Sequence, residues 1–200
     1  MNMNKLLAAV VLSATIVTSA FAGDNYQQIR NATGRVEIAG KTFLIDPMLA
    51  KKDAYPGFEN TYNSQLRFPL VELPISIEST YKGVEGIIVT HTHLDHWDPA
   101  AAQQLPKDIL IITQHEDDAK LIRGQGFKNV KVLNGSMQFG DVTLVKTHGA
   151  HGTDEMFASS ISEVLGEAMG VVFKAKDHKT VYLAGDTLWN AEVNKAIVKY

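Results

Sequence analysis

One stretch constrains this chain more than any other. Residues 90–99 read Thr-His-Thr-His-Leu-Asp-His-Trp-Asp-Pro, three histidines and two aspartates in ten positions. They follow directly on an apolar run of strand length, Gly86–Thr90, and precede Asp98-Pro99-Ala-Ala-Ala, a helix start with Asp98 as N-cap and Pro99 at the first helical position. Strand, liganding turn and helix in immediate succession are the arrangement by which α/β folds place a site at the carboxyl end of a sheet. A solvated turn has no use for so many imidazoles, and a core strand could not bury them.

Imidazole and carboxylate together suit zinc and related divalent ions. In extended backbone, residues two apart point the same way. His91 and His93 can therefore share one ion. The chain then turns, so that Asp95 and His96 can face a second ion nearby. The chain has no cysteine, which removes thiolates from the ligand set and disulfides from the stabilising forces. Further donors come after two later strands, in Thr147-His148-Gly-Ala-His151-Gly and in Ala184-Gly-Asp186-Thr187. A carboxylate bridging two ions is the reading of Asp186 that the first motif favours.

The rest of the chain reads as layered α/β. Arg35–Ala39 and Thr42–Asp46 flank Gly40-Lys41 as a hairpin. Residues 48–80 are irregular and rich in aromatics, and residues 55–68 and Met156–Met169 are expected as pocket walls. Strands are expected at Ile109–Thr113, Val130–Leu133, Val142–Thr147, Gly170–Lys174 and Thr180–Ala184. Helices are expected at His115–Arg123 and from Ala191 onward. His115 and His178 are read as plain exposed residues.

Lys5, the apolar run Leu6–Val17 and Ala20-Phe-Ala22 form a secretory signal peptide, cleaved after Ala22 and too short for a membrane anchor. Residues 23–200 are then one exported, periplasmic or secreted domain. With 45% apolar and 20% charged residues and a net charge of −3, composition gives no electrostatic case for nucleic acid or an anionic membrane.

Phe43-Leu-Ile-Asp-Pro47, Thr90–Asp98, the His148/His151 segment and Ala184–Thr187 together resemble the metallo-β-lactamase fold superfamily. The His-Trp-Asp extension and Pro69-Leu-Val-Glu-Leu-Pro74 are similar to the branch containing ascorbate phosphate lactonase-like proteins and N-acyl phosphatidylethanolamine phospholipase D-type enzymes. The resemblance implies an αββα sandwich and a hydrolase holding two divalent ions, zinc first and manganese as the alternative. It implies His91, His93 and His151 on one ion, Asp95 and His96 on the other, and Asp186 bridging. Asp95 is also the proton acceptor. His148 competes with His151 as the ligand and otherwise joins Asp46 and Asp98 in supporting the site. The family pattern also has one more histidine, further strands and a helix after the segment that begins near Ala191. The expectation is therefore a chain lacking that last part, with a sheet edge left open. Histidine at position 93, where oxygen-reducing diiron relatives carry glutamate, points to hydrolysis. The substrate is a small molecule: a lactone, ester, amide or phosphodiester. A metal-binding or partner-binding module without turnover is the alternative, and β-lactam hydrolysis a third. Oligomeric state is not legible.

Overall fold

The computed structural model describes residues 23–59 and 61–200, so the expected signal peptide lies outside the described residues. The chain opens on three antiparallel strands, β1 (Asn25–Arg30), β2 (Thr33–Ile38) and β3 (Lys41–Ile45). The hairpin expected around Gly40-Lys41 is present, with its turn one residue earlier. Ala39 and Gly40 have φ of 47° and 71°, and two successive left-handed residues give a turn whose twist matches paired strands.

After a long connection and a short helix, α1 (Ile77–Tyr81), strand and helix alternate through β4 (Gly86–Val89), α2 (Pro99–Gln104), β5 (Leu110–Thr113), α3 (Glu116–Gly124) and β6 (Asn129–Val132). Strands β3, β4, β5 and β6 run parallel, completing a six-stranded sheet in the order β1-β2-β3-β4-β5-β6. The second half forms β7 (Ser136–Phe139), β8 (Val142–Gly149), the short helices α4 (Asp154–Phe157) and α5 (Ser162–Leu165), β9 (Ala168–Ala175), β10 (Val181–Leu183) and α6 (Ala191–Lys199). Its four strands form an antiparallel sheet in the order β10-β9-β8-β7.

The unbroken apolar run of β4 has a direct cause, because this strand is covered on both faces. Ile87 and Val89 join Leu44 and Ile111 against Trp97, Ala101, Ala119 and Ile122 of the helical layer. Ile88 turns the other way and meets Phe43, Ile45 and Ile112 of its own sheet and Leu144, Val171 and Phe173 of the second. Phe43 and Phe173 are fully buried, with ring centroids 5.4 Å apart, and each such side chain contributes ~1.5–3 kcal/mol by burial. On the outer face of the second sheet α6 packs on β8 and buries Val193 and Ala196. The layers are therefore helix, sheet, sheet, helix.

Two buried charged groups hold the long connection after β3. The Arg30 guanidinium donates to the carbonyls of Met48 and Ala50, both at 2.8 Å. Asp98 caps α2 by accepting from Ala101 N at 2.7 Å, and also accepts from Leu49 N, Ala50 N and the Tyr55 hydroxyl. The irregular segment is thus pinned to the start of the helix that follows the histidine motif.

Candidate metal centre

The motif's geometry begins one strand earlier, at Asp46. This residue ends β3 in left-handed backbone, φ 43°, and is 2% exposed. Its carboxylate accepts from Thr90 N at 2.7 Å, from the Thr90 hydroxyl at 2.8 Å and from His96 Nδ1 at 3.0 Å. It therefore fixes both the point where β4 ends and the ring that lies six residues further on. Between them the chain folds back, with His96 N and Trp97 N both donating to the His93 carbonyl. Trp97 is buried and its indole N–H donates to Gln125, which ties the turn to the end of α3.

This turn brings the rings of His91 and His96 together, with centroids 4.0 Å apart and planes tilted by 48°. His91 Nε2 lies 2.9 Å from His93 Nδ1 and 3.1 Å from His151 Nε2. His96 Nε2 lies 3.1 Å from Asp186 Oδ2 and 3.7 Å from Asp95 Oδ2. Two liganding groups result, His91–His93–His151 and His91–His96–Asp186, each with its donor atoms within 4.8 Å of one another. The sequence suggests one pair of residues for each ion; the structure puts His91 in both groups. Asp95 stands at the rim, its side chain 36% exposed.

Asp186 reaches the site through Gly185. There φ is 70°, and a β-carbon would come within 2.4 Å of the Met169 carbonyl oxygen. Thr187 then accepts from Ala150 N, and Leu188 N donates to the Ala150 carbonyl. These bonds fasten the Asp186 turn to the one carrying His151. The segment Met156–Met169 borders the cluster. A β-carbon at Gly166 would sit 3.7 Å from His93 Nε2, and Leu165 and Met156 pack over Gly152 beside His151.

The structure does not bring the remaining residues to the cluster. His148 is the penultimate residue of β8, exposed, in a cleft with Trp189 and Glu192 at the start of α6. The strand is still running as it passes this position, and only the turn after Gly149 carries His151 inward. Asp98 serves the helix and the 49–55 segment and touches no ligand ring. His115 is the N-cap of α3, its Nδ1 accepting from Asp118 N, and His178 is bonded to Asp24 at 2.8 Å, so neither is a plain surface residue. Thr90 and Thr187 are the functional residues that sequence reasoning passes over, because a hydroxyl between ligands carries no signal of its own.

The electrostatics separate the two groups. Burial, reinforced by His96, His93 and His151, lowers the His91 pKa to about 2. Burial also lowers His151. These rings are neutral, with lone pairs converging at His91 Nε2. One proton cannot satisfy three nitrogens, whereas a divalent cation accepts them all, so the donor set fits zinc and its neighbours. Burial alone would lower His96 too, but hydrogen bonds from the ring to Asp186 and Asp46 outweigh it and raise its pKa to about 10. Asp186 is held down at about 2, chiefly by its bond with His96. A cation entering the second group must displace the His96 proton, whereas the lowered His91 and His151 rings of the first carry none to displace. At pH 7 we expect release of one proton on filling the second group, read by calorimetry in buffers of different ionisation enthalpy. Proton-free filling of both groups would contradict this.

Residues 41–198 match the Beta-lactamase superfamily domain. The chain is 48% identical over 165 residues to UPF0173 protein YddR of Bacillus subtilis (strain 168), covering 82% of this chain and 63% of that protein. It thus spans less than two thirds of that relative's length. A crystal structure of a possible metal-dependent hydrolase from Veillonella parvula DSM 2008 superimposes with a TM-score of 0.86 at 49% identity, over 89% of this chain and 68% of that one. The isothiocyanate hydrolase from Delia radicum gut bacteria superimposes with a TM-score of 0.84 at 48% identity, over 88% of this chain and 67% of that one. Matched over most of its length by the domain, and carrying its histidine and aspartate donors at the sheet ends, the chain belongs to the metallo-β-lactamase fold superfamily.

Proposed function

We propose that the protein is an exported metal-dependent hydrolase, with an isothiocyanate as the first substrate to test. The observation that carries the reading is the position of His91, whose Nε2 faces the His93 and His151 imidazoles while its ring lies against that of His96. A divalent ion bound in such a site supplies Lewis acidity and brings the pKa of a coordinated water towards ~7. His91, His93 and His151 hold the first ion. His96, Asp186 and Asp95 hold the second, with Asp186 reaching towards both groups: its Oδ2 is also 3.9 Å from His151 Nε2. Zinc fits this nitrogen and oxygen set, with manganese as the alternative. Asp95, partly solvated at the rim, takes up the proton that the attacking water gives up. The segment around Gly166 limits bulk water on the His93 side.

Similarity to the isothiocyanate hydrolase supports a small electrophile as substrate. Water would add to the central carbon of R–N=C=S, and the adduct would break to R–NH2 and COS, which balances atoms and needs no oxidant. Export rests on the Lys5, Leu6–Val17 and Ala20-Phe-Ala22 pattern. Among the described residues no helix is long and apolar enough to cross a membrane.

The test is a panel assay on the protein loaded with zinc or manganese, using benzyl isothiocyanate, a lactone, an aryl ester, an aryl phosphodiester and a chromogenic cephalosporin. Isothiocyanate loss that stops on chelation is the expected result. Turnover of another panel member alone would reassign the substrate. Two tightly held ions with no turnover of any compound would establish a binding module instead.

A further inference from the structure

We propose that Asp118 is a positioning residue for the first liganding group, acting through Thr92. This rests on the metal-binding reading above.

Three acids fill the first turn of α3, Glu116, Asp117 and Asp118. Any of them could complement the helix dipole from solvent. Glu116 and Asp117 do lie in solvent, their side chains 56% and 88% exposed, whereas that of Asp118 is 7% exposed. Burying a carboxylate is costly unless it is bonded. Asp118 Oδ1 accepts from the Thr92 hydroxyl at 2.6 Å, a short bond strengthened by the charge of the acceptor. Its Oδ2 is buried without a hydrogen-bond partner, and the nearest titratable group is His115 Nδ1 at 3.6 Å. That nitrogen cannot help, because it already accepts from Asp118 N as the helix cap. The carboxylate thus stays buried for one directed bond, and that bond ends between two ligands.

Thr92 is the single residue separating His91 from His93. Side chains on successive extended residues point to opposite sides. Holding the Thr92 hydroxyl on α3 therefore turns the two imidazoles together towards the opposite side, where His91 Nε2 and His93 Nδ1 stand 2.9 Å apart. Asp46 clamps the motif from one side through Thr90 and His96. Asp118 clamps it from the other, and so acts on the group containing His93.

Cobalt(II) titration of the metal-stripped protein tests this, with affinity measured by competition with a chelator and ligand geometry by the visible absorption bands. Thr92→Val keeps the shape and removes the donor. We expect about tenfold weaker binding of the first ion, the range for loss of a partner that orients a ligand, with shifted bands, and a lower melting temperature of the metal-free protein because the buried Asp118 carboxylate loses its partner. Thr92→Ser, which keeps the hydroxyl, should restore affinity and spectrum. Asp118→Asn should weaken binding comparably, and the double variant should be no weaker than the worse single one, since both remove the same bond. If Asp118→Asn fails to fold, the valine and serine variants decide alone. Wild-type affinity and bands in Thr92→Val, failure of serine to rescue, or losses that multiply in the double variant would each overturn the proposal. A wild-type protein that binds no cobalt would overturn both this proposal and the metal reading.

Discussion

Replacing His91 with alanine should abolish binding at the first liganding group and lower hydrolysis by more than ~100-fold. Loss of a partner that merely orients a ligand already costs 10–100-fold, and His91 is itself a donor, its Nε2 facing both other rings of the first group. The survival of the second group makes the prediction specific. A neutral imidazole nitrogen has one lone pair and serves one ion, so removal of His91, like that of His93, should leave His96 and Asp186 able to bind the second, and one equivalent should survive dialysis. Elemental analysis of the dialysed variants, beside isothiocyanate turnover, checks this. A His91→Ala protein that keeps two equivalents would show that the ring beside His96 is not a ligand. The variant should fold, because an alanine at the mouth of β4 leaves the buried pair Ile87 and Ile88 untouched.

The donors were legible in the sequence because they sit where periodicity changes. β4 is apolar at every position, then imidazoles and carboxylates arrive at once, and few structures other than a liganding turn tolerate that. Strands β4 and β5 were legible for the related reason that strands covered on both faces show unbroken apolar runs, whereas the hairpin β2–β3 was marked by its turn and β6 by its alternating valines. Strand β1 was not. Its sequence Asn-Tyr-Gln-Gln-Ile-Arg is exposed over its first four residues and pairs only at the edge of the sheet, so burial leaves no apolar imprint. Strand β7, Ser-Met-Gln-Phe, is equally polar and equally marginal.

What the sequence could not disclose were the long-range bonds. The choice between His148 and His151 turns on where β8 stops, which depends on its pairing with β9 through Gly149. Asp118 reads as one of three solvated acids until α3 is docked, and only then does it meet Thr92, 26 residues earlier. The placing of His91 beside both groups depends on the fold-back at His93, which is a backbone event with no compositional mark. The αββα layering was implied by the family resemblance, but the contact between the two sheets at the site, Met169 N donating to the Thr90 carbonyl, was not.

Asp46→Ala should be the most destabilising change at the site, by ~3–5 kcal/mol. That is the usual cost of removing one partner of a buried ion pair and a large share of a typical total of about 5–15 kcal/mol. Three bonds to Thr90 and His96 are lost together, and a β-branched-free alanine must still occupy φ 43°, a region that asparagine and aspartate tolerate better. Asp46→Asn should therefore cost less, keeping an acceptor for Thr90 N while withdrawing the charge from His96. The pH dependence distinguishes the two contributions. The folded metal-stripped protein retains the His96 proton up to about 10, whereas the unfolded chain releases it near ~6.5. The unfolded state binds fewer protons between these values, so the stabilisation is complete below pH ~6.5 and is lost as pH rises through about 10. Removing the Asp46 charge lowers the folded His96 pKa and should flatten that decline. Urea unfolding midpoints of the metal-stripped wild type and both variants, from pH 6 to 10, measure it. An unchanged slope in Asp46→Asn would show that Asp186 alone holds the proton on His96, and that Asp46 acts on the site only through Thr90.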